Sequence, residues 1–117
     1  MLVLIADGYV DAATTLGELL EFWGYEVIVV HDGLSALEAA FTYQPQIALI
    51  DVNLPEISGY EVACRLRQDP LLSRILLIAL TTYGSADDQH RLKDAGFDYY
   101  FLKPVDPFEI RQVLWQV

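Results

Sequence analysis

The chain has 117 residues, 54% of them hydrophobic and 21% charged, which suits one domain with a buried core and excludes a disordered chain. Seven basic against seventeen acidic side chains give a formal charge of −10, so direct nucleic-acid binding is not expected of a surface that repels phosphates. The apolar runs Leu2 to Ala6 and Ile75 to Leu80 fall far short of the roughly 20 residues that cross a bilayer, so no membrane insertion is expected, and the single Cys64 fits a reducing, cytoplasmic setting.

In chain order, residues 2–6 read as a first strand that ends at Asp7. Val10, Ala13, Leu16, Leu20 and Trp23 step by three or four, the period of one helix face, and Gly24 stops that helix. A second strand covers 26–30. The next helix follows Asp32-Gly33, with Leu34, Leu37, Ala40 and Phe41 on its core face, and Pro45 ends it. The third strand, 47–51, is followed by a helix launched near Ser58-Gly59 whose apolar face is Val62, Ala63 and Leu66. After a fourth strand at 75–80, Ser85 and Asp88 have capping-box spacing for a helix that ends at Gly96. The aromatic strand 99–102 leads to Asp106-Pro107, a cap followed by proline at the first helical position. Phe108, Ile110, Val113 and Leu114 would form that last helix's core face.

Short strands alternating with helices require crossovers, so the sheet should be parallel and covered on both faces. Ligands of such sheets sit beyond the carboxyl ends of the strands. Those ends deliver Asp7, Asp51, Thr81 and Lys103, the last followed by Pro104. Two carboxylates, a hydroxyl and an ammonium suit phosphoryl transfer, which needs a nucleophile, charge neutralisation and alignment. Carboxylates are also the hard ligands Mg²⁺ prefers, and lysine acts on phosphate as a point charge.

The motifs Val3-Leu-Ile-Ala-Asp7, Asp51-Val-Asn-Leu-Pro55 with Ser58-Gly59, Ala79-Leu-Thr81 and Lys103-Pro104 occur in one order. With them the chain resembles the receiver domain of two-component response regulators over essentially its whole length. The resemblance implies a flavodoxin-like (βα)5 three-layer sandwich with a five-stranded parallel sheet of order 2-1-3-4-5. It implies Asp51 as phosphoacceptor, taking a phosphoryl group from a histidine kinase or phosphotransfer domain. Mg²⁺ would be held by Asp7, Asp51 and the backbone carbonyl of Asn53. Lys103 would pair with the phosphoryl oxygens, Thr81 would hydrogen-bond the new group, and Tyr100 matches the aromatic whose rotamer accompanies activation. Such a domain is a switch more than an enzyme, although it assists its own phosphorylation and dephosphorylation. Homodimer or output contacts would use the face of helix four, strand five and helix five, including His90, Lys93, Tyr100, Arg111 and Trp115. Residues 1–117 read as one receiver domain, and since residue 2 already lies in a core strand, an excised piece of a longer regulator or hybrid kinase is expected.

The chain departs from the family at one position. Receivers carry two adjacent acids after the first strand, whereas here Asp7 is followed by Gly8. The crevice charge falls from about −2 to −1, and Mg²⁺ should bind more weakly. Gly8 reads either as a residue required for positive φ or as a lost acid. Asp11, a first-turn acid, and Glu56, a loop charge, are the candidate substitutes. An alternative follows, a pseudo-receiver that serves as an interaction module independent of phosphate. His31 and His90 lack a second ligand at metal spacing and read as ordinary side chains, as Cys64 reads as a half-buried inert thiol.

Overall fold

A computed structural model describes all residues, 1–117, as alternating strands and helices. They are β1 (Leu2–Ala6), α1 (Val10–Phe22), β2 (Glu26–Val30), α2 (Gly33–Tyr43), β3 (Ile47–Asp51), α3 (Gly59–Gln68), β4 (Leu76–Thr81), α4 (Ala86–Ala95), β5 (Tyr99–Leu102) and α5 (Pro107–Leu114). All strand pairs are parallel, in the order β2-β1-β3-β4-β5. This is the flavodoxin-like arrangement. No helix is long and apolar enough to cross a membrane.

Alternation along the strands sends side chains to two cores. Leu4, Ala6, Ala48, Ile50, Leu77 and Ala79 pack with α2, α3 and α4 on one face of the sheet. Val3, Ile5, Ile47, Leu49, Ile78 and Leu80 pack with α1 and α5 on the other. The strands are apolar on both faces because both are covered.

Local chemistry sets the helix ends. The Ser58 hydroxyl accepts from the Glu61 amide at 3.3 Å and Asp32 accepts from Ser35 at 2.7 Å. Ser85 and Asp88 form the reciprocal capping box, and Gly96 closes α4 at φ 107°. Strand β4 begins at Leu76 rather than 75 and runs to Thr81, because the Ile75 carbonyl is taken by Arg67 and Thr81 still pairs with Leu102.

Three helix faces are phased differently from the sequence reading. Leu34 and Phe41 are exposed, and α2 instead buries Ala36, Leu37, Ala39 and Ala40. A Cβ at Gly33 would collide with the Ile57 carbonyl, and this close approach fixes the rotation of α2. Val10, the first residue of α1, is also exposed. Phe108 is 64% exposed and leans on the Trp23 ring, at 6.0 Å between centroids, rather than entering the core with Ile110 and Leu114.

Candidate functional site

Because β1 and β3 are adjacent and parallel, Asp7 and Asp51 emerge side by side at the carboxyl end of the sheet. Both are only 3% exposed. Lys103 follows β5, two strands from β3, and must reach across β4. Its amide donates to the Thr81 carbonyl at 2.8 Å, which sets the base of the side chain beside the site. Its Nζ then donates to Asp51 Oδ2 at 2.7 Å and Asp7 Oδ2 at 3.0 Å. The Lys103-Pro104 peptide is cis.

The other carboxylate oxygens are held from the loops. Asp7 Oδ1 accepts from the Tyr9 amide and Asp51 Oδ1 from the Asn53 amide, each at 2.9 Å. Two carboxylates against one ammonium leave a formal charge of −1 in a largely buried cluster. Burial opposes the charged form of Lys103, but the hydrogen bonds and charges of Asp51 and Asp7 outweigh it, so its pKa lies above the usual lysine value.

A crevice of about 360 Å³ opens over Asp51, walled by Gly8, Tyr9, Asn53, Pro55, Thr82, Tyr83 and Lys103. Thr81 is buried beneath it. Its hydroxyl accepts from the Tyr83 amide at 3.0 Å and donates to the Tyr83 carbonyl at 3.2 Å, so it is engaged with the loop. Tyr9, Thr82 and Tyr83 are wall residues that the sequence reading missed. Their one signal was adjacency to the strand ends, since exposed tyrosines in loops have no periodicity to betray them. His31 is closer than expected, with Nδ1 at 2.9 Å from the Asp7 carbonyl.

Family membership follows from comparison. The response regulator receiver domain model matches residues 3–114. The chain belongs to the response regulator receiver domain family. It is 39% identical over 88 residues to the polar-differentiation response regulator DivK of Brucella anthropi, spanning 75% of this chain and 72% of that one. A putative response regulator from Chloroflexus aurantiacus superposes with a TM-score of 0.91 at 31% identity, covering 98% of this chain and 94% of the other. The receiver domain of a sensor histidine kinase from Pseudomonas aeruginosa has a TM-score of 0.89 at 27% identity, with 98% and 94% covered. That receiver was crystallised with magnesium coordinated in its active-site cleft.

Within this receiver, the donor set at Asp7 and Asp51 fits Mg²⁺, which is commonly held by one or two carboxylates together with water and phosphate oxygens. No third acidic or imidazole side chain joins them. Asp11 lines a neighbouring groove, not the crevice, and Glu56 lines neither. Gly8 does not have positive φ, so that explanation for the glycine is withdrawn. A Cβ there would meet Pro55 Cδ at 3.4 Å, ordinary contact, so the backbone has room for a side chain.

The residues of the expected output face are distributed as follows. Tyr100 is 37% exposed and lines a shallow cleft with Leu92 and Lys93 of α4. Arg111 and Trp115 lie on α5 and its C-terminal end. The Arg111 guanidinium lies 4.7 Å from the Trp23 ring and 4.4 Å from the Trp115 ring, so both α5 residues group with the end of α1.

Proposed function

We propose that this receiver accepts a phosphoryl group on Asp51 from a histidine kinase or phosphotransfer protein, with Mg²⁺ assistance, and switches conformation around Thr81 and Tyr100. The observation that carries this reading is the Asp51 carboxylate under an open crevice, with Lys103 Nζ 2.7 Å away. An Asp51 oxygen attacks phosphorus, the bond from phosphorus to the donor imidazole breaks, and the imidazole keeps that electron pair. The product is an aspartyl phosphate.

Lys103 neutralises the incoming oxygens and keeps Asp51 from repelling them. Asn53 fixes the carboxylate through its amide, and Asp7 and Asp51, with the Asn53 carbonyl, would hold the metal. Bound there, Mg²⁺ would offset the negative charge of the transferring group. The Thr81 hydroxyl must leave Tyr83 to reach the new group, and this exchange links phosphorylation to movement of the β4–α4 loop. The phosphorylated site must favour that exchanged arrangement over the resting one.

Intact mass after incubation with acetyl phosphate tests this reading. A phosphoryl adduct that requires both Mg²⁺ and Asp51, and is lost in Asp51→Asn, is expected. No adduct and no beryllofluoride binding at high Mg²⁺ would favour the pseudo-receiver, which the glycine at position 8 supports. Gly8→Asp separates the two further: restoring the second acid should lower the Mg²⁺ midpoint of a working receiver several-fold and do nothing for a pseudo-receiver.

A further inference from the structure

The aromatic side chain that follows the missing acid stands against the one ammonium of the site. Lys103 Nζ lies 4.9 Å from the Tyr9 ring centroid, within the roughly 6 Å over which a ring face attracts a cation. Tyr9 is 70% exposed and contributes nothing to either core. Its side chain makes no cap hydrogen bond either, although Tyr9 is the N-cap of α1. Packing and capping therefore do not account for it.

Its backbone, in contrast, is fixed. The Tyr9 amide donates to Asp7 Oδ1 at 2.9 Å and its carbonyl accepts the first α1 hydrogen bond from Ala13 at 3.0 Å. The ring thus rises from a rigid point beside the acceptor. It also stands between two spaces, because Tyr9, Thr82 and Lys103 line both the crevice over Asp51 and the groove along α1.

We propose that Tyr9 is a positioning residue for phosphoryl transfer, its ring holding the Lys103 ammonium over the pair Asp7 and Asp51. This rests on the reading of Asp51 as acceptor. Lysine is a point charge on a flexible stem, so its placement depends on what surrounds it. With Gly8 in place of an acid, the crevice has two carboxylates to orient that charge, and the neutral ring carries a larger share. The ring also stays the same when Asp51 gains its phosphoryl group, whereas the carboxylate contact does not.

The test compares the unsubstituted domain with Tyr9→Phe and Tyr9→Leu, each checked for folding by thermal melting. Phosphorylation by acetyl phosphate at saturating Mg²⁺ gives the rate, and NMR of the Lys103 side chain gives the ring-current shift of its methylene protons. Tyr9→Phe keeps the ring and should match the unsubstituted domain in both. Tyr9→Leu keeps the bulk without the ring, and should lose the shift and slow phosphorylation about two- to fivefold. A Tyr9→Leu rate equal to that of a labelled, unsubstituted domain, or a Lys103 shift that Tyr9→Leu leaves in place, overturns the proposal. An unsubstituted domain that takes no phosphoryl group at all overturns the acceptor reading, and the role of Tyr9 with it, which is a separate outcome.

Discussion

Lys103 is shared by two buried carboxylates, so the cluster carries one more negative than positive charge. Asp51→Asn removes one negative group and leaves a matched Lys103–Asp7 pair. Loss of phosphorylation should therefore come with a melting temperature equal to or above that of the unsubstituted domain, the usual opposition of site chemistry and stability. Lys103→Met is the reverse case, because it strands two carboxylates that are each 3% exposed. Denaturant titration at neutral pH should show a loss of roughly 3 kcal/mol. The raised pKa of Lys103 also has a sign. Its contribution is fully present below the unfolded value of about 10.5 and is lost as pH rises through the higher folded value. Urea midpoints from about pH 9 to about pH 12 should fall more steeply for the unsubstituted domain than for Lys103→Met. At position 59 the constraint is steric: a Cβ would strike the carbonyl of Asp51 itself. Gly59→Ala should cost about 1–3 kcal/mol in chemical unfolding and shift the Asp51 backbone by the same displacement.

At the scale of elements, capping chemistry was the most legible part of the sequence. Ser85 with Asp88, Asp106 with Pro107 and Gly96 each do what their residue types and spacing require, because these devices are local. Helix phase was less legible. Leu34 and Phe41 carried more apolar surface than the alanines of α2, yet the close approach of Gly33 to Ile57 turned the small face inward. That contact joins the first residue of α2 to the loop after β3 and has no signature in a periodic pattern. A cap also offers a test: Asp32→Ala removes the acceptor of the Ser35 amide and should cost about 1 kcal/mol, read from a urea midpoint. Hydrogen bonds to Ser35 hold the Asp32 carboxyl below its ordinary pKa, so that part of the stability is present above about 3.8 and fades as pH falls below it.

Over the whole molecule, the alternation of strands and helices made the parallel sheet and the end that carries the candidate site readable, since topology follows from crossovers and twist. The four strand-end residues were legible for the same reason. Which wall each loop presents was not, because the contacts of Tyr9, Thr82 and Tyr83 depend on loop paths that no repeat encodes. Opposite ends of the sheet are tied differently. At the end remote from Asp51, Arg67 donates to the carbonyls of Gly96, Ser73 and Ile75 and to Asp98 Oδ2, a fork that joins the starts of β4 and β5. At the Asp51 end the tie is Lys103, and 96 residues separate it from Asp7. A ribosome therefore releases both acids long before the base that balances them. Until β5 has emerged, Asp7 and Asp51 are without the ammonium that both of them bind in the folded chain. The site that would receive the signal therefore closes only once β5 has emerged, and α5 packs onto the second core after it.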